Sequence, residues 1–171
     1  MTLRLLIGSS NPGKIAELRR SLAGLDLELL TPDDLAERPA EPPEDAPTYR
    51  ENAIAKAEAY RDATGLATVA DDSGLEVDAL GGAPGVRSRR YFGEDVPAQR
   101  RNAMLLGLLD GVTARGARFV CAAALALPDA PTEVFEGEVR GEIAPAPSGA
   151  AGFGYDPVFV IAGDGRTMAE V

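Results

Sequence analysis

Histidine and tryptophan are absent from this chain of 171 residues, cysteine occurs once, at Cys121, and lysine only twice, at Lys14 and Lys56. Each absence excludes something. Without histidine there can be no Ser–His–Asp or Cys–His nucleophile, and a zinc site loses its commonest nitrogen ligand. A lone cysteine closes no internal disulfide, and Met1-Thr2-Leu3-Arg4 runs straight into a strand-like segment with no signal-peptide pattern, so the expected location is cytoplasmic. No apolar run approaches the ~20 residues that span a bilayer, so no membrane association is expected. Aromatics make up 5% of the chain, which leaves Ala, Leu and Val to build the core. A formal net charge of −10 argues against a nucleic-acid surface. It does not argue against a nucleotide, because a divalent cation can bridge carboxylates to phosphates.

The length suits a single domain, 1–171, or two intimate lobes. Leu3 to Ile7 reads as a buried strand, Gly8 to Gly13 as a turn, and Lys14 to about Ala23 as a helix with Ile15, Leu18 and Leu22 on one face. Asp26 to Leu30 alternates like a second strand. After a Pro- and acid-rich stretch at 31–47, Thr48 and Glu51 form a capping box that opens a helix closed by Gly65. Ala67 to Ala70 is a short strand expected to end in an acidic turn at Asp71-Asp72-Ser73-Gly74. Pro97 announces a helix carrying Met104, Leu105, Leu108 and Leu109, and 119–127 and 132–143 read as a strand pair. A Gly/Pro-rich loop at 145–157 and a strand at 158–161 follow. The expected class is α/β: a mixed central sheet with flanking helices and a cleft between two lobes.

The chemistry concentrates in a few segments. Gly8 to Lys14 joins a strand to a helix, where backbone N–H groups and the helix dipole favour an anion. The spacing Gly8, four residues, Gly13-Lys14 nearly satisfies the P-loop, but Ile15 stands where a magnesium-holding Ser or Thr belongs. The same segment also fits an ordinary strand–helix turn with a capping lysine. Asp71 and Asp72 fall at a strand end, where α/β proteins place ligand chemistry; with no histidine, carboxylates are the leading candidates for general base. Adjacent residues of an extended chain point to opposite sides, so one Asp would act and the other support it. Asn52 and Lys56 share a helix face by their i, i+4 spacing, and spacing alone reads that face as solvated. Glu44 and Asp45 could reach a metal, and the exact acid within 41–45 is left open. Arg87 and Arg89 alternate onto one side of an extended segment. The glycines around Phe153 and Tyr155 suit either a backbone hugging a flat ligand or a tight closing loop.

Five segments in order carry a resemblance: S-S-N-P-G-K at 9–14, T-Y-R-E-N-A-I-A-K-A at 48–57, A-D-D-S-G-L-E-V-D-A-L-G-G-A-P-G-V at 70–86, F-V-C-A-A-A at 119–124 and G-F-G-Y-D-P-V-F at 152–159. Together they resemble the inosine triphosphate pyrophosphatase family, which removes ITP, dITP and XTP from the nucleotide pool. The resemblance implies an elongated two-lobed α/β fold, a homodimer, magnesium, and attack of water on a purine nucleoside triphosphate with pyrophosphate leaving. It implies Asp72 as general base and metal ligand, supported by Asp71, with Glu44 as a second metal ligand. Ser9, Ser10, Asn11, Pro12, Gly13 and Lys14 would hold the triphosphate, with Lys56 and Arg89 as further basic contacts. Ser73 would touch substrate, and Phe153, Gly154, Tyr155 and Asp156 would form the nucleobase loop.

One departure sets a further expectation. Family members continue to a lysine and a Ser-His-Arg motif that reads the purine 6-oxo group, whereas this chain stops at Val171, one residue past a capping box at Thr167 and Glu170. A helix start without a body, and weak discrimination of ITP from ATP, would follow. Two alternatives belong to other classes: a P-loop-like NTPase releasing orthophosphate, and a nucleotide-binding module that has lost catalysis.

Overall fold

The computed structural model describes residues 2–171 and has nine principal elements. They are β1 (Leu3–Ile7), α1 (Pro12–Ser21), β2 (Leu27–Leu30), α2 (Tyr49–Thr64), β3 (Ala67–Val77), α3 (Ala98–Leu108), β4 (Gly116–Ala126), β5 (Glu133–Ile143) and β6 (Phe159–Ile161). The strands form one sheet in the order β2-β1-β3-β4-β5-β6. β1 pairs parallel with both β2 and β3, while β5 and β6 are antiparallel, so the sheet is mixed as expected.

Two compact units divide the chain. The first holds everything up to Asp72 together with Cys121–Glu136; the second holds Ser73–Val120 and Gly137–Val171. In the first, Leu5, Leu6 and Ile7 of β1 and Ala53, Ala57 and Tyr60 of α2 are buried with Ala67, Ala70, Ala122, Ala124 and Ala126. Alanine in place of larger side chains brings α2 close to the sheet. Gly8 is required by the same closeness: a Cβ there would lie 2.8 Å from the Tyr60 ring and 3.1 Å from the Thr68 methyl. Thr48 caps α2 through the Glu51 N–H, and Gly65, at φ 68°, ends it in the left-handed conformation that glycine adopts without steric cost.

The second unit packs Leu75, Val77, Leu105, Leu109, Ala117, Ile143, Tyr155, Val158 and Phe159 into one cluster, with the Phe119 and Phe159 rings edge to face at 4.8 Å. Leu105 and Leu109 are the buried stripe beside α3, whereas Met104 and Leu108 are exposed. Arg115 binds this unit's loose ends, donating to the carbonyls of Leu109, Val112, Ile143 and Ala144. Thr167 and Glu170 do form a capping box, here around the short turn Met168–Glu170, and the Ala151 N–H bonds back to the Ala169 carbonyl.

Three expectations need correction. Gly85–Arg87 forms a short 3-10 turn and Ser88 is also helical, so Arg87 and Arg89 do not alternate along an extended segment. Helix α1 starts at Pro12, two residues before the expected Lys14, and ends at Ser21, not Ala23. Pro12 occupies the first helical position, where its missing N–H costs nothing, and Asn11 is the cap. The largest correction concerns Asp71-Asp72-Ser73-Gly74. These turn-forming residues make no turn: β3 continues unbroken from Ala67 to Val77. Strand β3 lies between β1 and β4 in the sheet, and pairing and burial on a central strand override the local preference of Asp, Ser and Gly. Both aspartates are therefore buried in mid-strand.

Candidate active site

Burying two consecutive carboxylates in a central strand is costly unless each is compensated. Asp71 and Asp72 are 7% and 5% exposed. Compensation comes from two helices of the first unit, α1 and α2. Lys14, in the first turn of α1, places its ammonium 2.8 Å from Asp71 Oδ2 and donates to the Asp71 carbonyl at 3.4 Å. Lys56 of α2, 4% exposed, donates to the same carbonyl at 3.0 Å and pairs with Glu44. Asn52, one turn before Lys56 and 1% exposed, donates from Nδ2 to Asp72 Oδ2 at 2.9 Å. The only two lysines of the chain thus converge on one backbone oxygen beside the two aspartates.

The α2 face bearing Asn52 and Lys56 is accordingly buried and spent on the site, not solvated as spacing alone implied. Spacing cannot see what the face meets. Asn52 is the site residue that sequence reasoning left out; its i, i+4 relation to Lys56 was the available signal.

Charge sets the protonation tendencies. Burial pulls the Lys14 ammonium down, but the charge and hydrogen bond of Asp71, with Asp72 and Glu44, outweigh it and leave Lys14 raised. Burial pushes the Asp72 carboxyl up; Glu44 adds to this, while Asn52, Lys14 and Lys56 oppose it, and the balance stays raised. Cys121, whose Sγ lies 4.0 Å from Asp71 Oδ2, is pushed up to about 11 by burial and then by the Asp71 charge. It is therefore a thiol, and unsuited to act as a nucleophile.

The loop before α1 uses its own oxygens on its own backbone. Ser9 Oγ accepts from the Asn11 N–H at 3.2 Å and Asn11 Oδ1 from the Gly13 N–H at 2.9 Å, while Pro12 has no N–H to offer. Ser10 donates to Glu41 at 2.6 Å. Charge for an anion at this loop is supplied chiefly by Lys14.

Oxygen ligands for a metal are at hand. Asp71 Oδ1 is buried without a hydrogen-bond partner, and Glu44 is near enough to raise Asp72. Among the described residues no three His, Cys, Asp or Glu side chains gather into a metal cage. Magnesium does not need one, since it is commonly held by one or two carboxylates and substrate phosphates. Three carboxylates, Glu44, Asp71 and Asp72, face two ammonium groups, and a hard divalent cation fits that excess of oxygen and negative charge.

The remaining expected residues, Ser73, Arg89, Phe153, Gly154, Tyr155 and Asp156, belong to the second unit. There Tyr155 donates its hydroxyl to the Ser88 carbonyl at 2.9 Å, and Ser88 Oγ accepts from the Leu75 N–H. Asp156 accepts from the Phe153 N–H at 2.7 Å, and Asn102 donates to the Gly154 carbonyl at 3.2 Å. Tyr155 and Asp156 thus hold the loop's shape, and Phe153 keeps a half-exposed ring. Arg89 is exposed, with its carbonyl bonded by Arg101.

The Ham1 family model matches residues 5–171. A dITP/XTP pyrophosphatase of Geobacter sulfurreducens is 45% identical over 170 residues, covering 98% of this chain and 85% of the relative. Among solved structures, the Ham1 protein of Staphylococcus aureus aligns with a TM-score of 0.85 at 40% identity, covering 98% of this chain and 86% of that one. A HAM1 protein from Coxiella burnetii aligns with a TM-score of 0.87 at 36% identity, over 99% and 87%.

Two predictions follow from these charges. Lys14→Met leaves Asp71 buried beside no ammonium of its own and should lower unfolding free energy by about 3–5 kcal/mol in urea titrations, whereas adding Asp71→Asn should restore most of the loss. The second concerns Asp156, raised by burial despite the Phe153 N–H. A carboxyl raised in the fold gives its full stability below the unfolded value and loses it as pH rises through the folded value. Asp156→Asn, which keeps an acceptor for Phe153, should therefore be more stable than the parent at pH 7, with the advantage vanishing as pH falls below the ordinary carboxylate range. A gap independent of pH would contradict the assigned burial cost.

Proposed function

The chain belongs to the Ham1 family, and from that premise we propose that it hydrolyses non-canonical purine nucleoside triphosphates, ITP, dITP and XTP, to the monophosphate and pyrophosphate. The observation that carries this reading is the buried Asp71–Asp72 pair in β3, flanked by Lys14, Lys56 and Glu44.

Water is the nucleophile. Asp72 takes a proton from it as its oxygen forms a bond to the α-phosphorus, and the α–β bridging P–O bond breaks with pyrophosphate leaving. Burial raises the basicity of Asp72, which suits proton abstraction. The Asn52 amide holds one of its oxygens. Asp71 balances Lys14 and keeps that ammonium charged and in place for the phosphate chain, where Ser9, Ser10, Asn11, Pro12 and Gly13 form the rest of the cradle. Lys56 supplies the second positive charge. Asp72 and Glu44 would hold magnesium, which when bound neutralises phosphate charge that the site's own excess of carboxylates would repel. On family resemblance, Ser73 and Arg89 are further substrate contacts, and Phe153 to Asp156 the nucleobase loop. A homodimer rests on the same resemblance, and a cytoplasmic location on the single cysteine. No helix among the described residues is long and apolar enough to cross a membrane.

The P-loop alternative loses its footing at Ile15, a half-buried aliphatic residue where a metal-holding hydroxyl would be required. Product analysis separates the two chemistries. Incubation with ITP should release pyrophosphate and IMP in equal amounts, and chelation of magnesium should stop it. Orthophosphate as the first product, or turnover indifferent to magnesium, would overturn the proposal.

A further inference from the structure

Asn52 binds two things at once. Its Nδ2 donates to Asp72 Oδ2 at 2.9 Å. Its Oδ1 accepts from the Ala46 N–H at 2.9 Å, and Nδ2 also reaches the Ala46 carbonyl at 3.4 Å. Ala46 closes the acidic stretch that carries Glu44, and that stretch is fastened at two further points, Glu41 to Ser10 and Glu44 to Lys56. The segment has no helix or strand of its own between Asp34 and Tyr49, so side chains from outside it fix its position. Of these three fastenings, the one through Asn52 also donates a hydrogen bond to Asp72 Oδ2. The amide is 1% exposed and has a bonded partner for both its oxygen and its nitrogen. A buried amide so bonded has one orientation: exchanging its oxygen and nitrogen would set oxygen against Asp72 and nitrogen against the Ala46 N–H.

We propose that Asn52 is the positioning residue of the site, holding the Asp72 carboxylate and the Glu44-bearing segment in a fixed mutual register. The proposal rests on the reading of Asp72 and Glu44 given above and adds what keeps them together. Asn52 itself touches neither reacting atom. It acts through Asp72, by fixing which carboxylate oxygen faces the amide, and through Ala46, by setting how far Glu44 stands from that oxygen. Partners of this kind typically change metal affinity or rate 10–100-fold when removed.

The test has two readouts on the full chain. Mn²⁺ titration, followed by electron paramagnetic resonance without nucleotide, should show Asn52→Ala binding the ion about 10-fold more weakly than the parent. With ITP, Asn52→Ala should lower kcat by roughly 10–100-fold with KM changed much less, since the phosphate cradle is untouched. A double-mutant cycle then isolates the route through Asp72: in an Asp72→Asn background, Asn52→Ala should have a much smaller effect on the residual rate than in the parent, with only the route through Ala46 left. Asn52→Ser, smaller and still polar but too short to bridge both partners, replaces Asn52→Ala where that variant does not fold. Unchanged Mn²⁺ affinity together with an unchanged kcat, or a full additional loss in the Asp72→Asn background, overturns the proposal. Weaker Mn²⁺ binding in a chain whose parent releases no pyrophosphate would uphold the positioning role while refuting the assigned reaction.

Discussion

Two neighbouring carboxylates lie inside the central part of a sheet, and much of the first unit is arranged to make that tolerable. Leaving either uncompensated would cost several kcal/mol, comparable with a large part of a small protein's net stability. The compensation draws on separate segments, the first turn of α1 for Lys14 and a buried face of α2 for Asn52 and Lys56, while Glu44, from the irregular stretch before α2, pairs with Lys56 and adds a third negative charge. This explains why a chain with fifteen arginines keeps lysine at two places. An ammonium is a compact point charge on a flexible stem and can converge with another on one carbonyl oxygen, where two planar guanidinium forks would collide.

The same arrangement links stability to chemistry. Two ammonium groups face three carboxylates, an excess of negative charge that a bound cation would offset. A triphosphate would be repelled by that excess and attracted by the lysines; a divalent ion reverses the first and leaves the second. The hydroxyl and amide groups of Ser9, Ser10 and Asn11 are meanwhile bonded within the loop or to Glu41, which keeps the loop shaped before a phosphate reaches it. A phosphate bound there would replace existing bonds and would not have to order a slack chain, which limits the entropic cost.

Much of the secondary structure was legible because it is written locally. The Thr48–Glu51 capping box and Gly65 bound α2, and the apolar runs at 3–7 and 119–127 mark β1 and β4. Helix α1 begins at Pro12 and not at Lys14 because a proline fits the first helical position and Asn11 caps it. Asp71 to Gly74 differs for another reason: a turn-like tetrapeptide lies in mid-strand through pairing with distant segments, which no local pattern records. The site followed the same division. Residue type and motif pointed to Asp71, Asp72 and Lys14 as candidates, and the choice of Asp72 over Asp71 came from the family resemblance. The role of Lys56 needed the family resemblance, since its spacing suggested a solvated face, and Asn52 needed coordinates. An asparagine becomes a site residue only through what it meets across twenty residues of sequence.

The central claim is that the buried carboxylate of Asp72 performs the proton transfer that the rest of the site prepares. Turnover of ITP by Asp72→Asn at saturating magnesium tests this most directly, because the substitution keeps the shape and an oxygen while removing basicity and charge. Loss of a general base lowers the rate by roughly 10²–10⁴-fold, and removal of a metal ligand adds to it. The account predicts at least that loss, with nucleotide binding, measured by calorimetry against a non-hydrolysable analogue, retained within a few-fold. Near-parental turnover would contradict it and assign the base elsewhere.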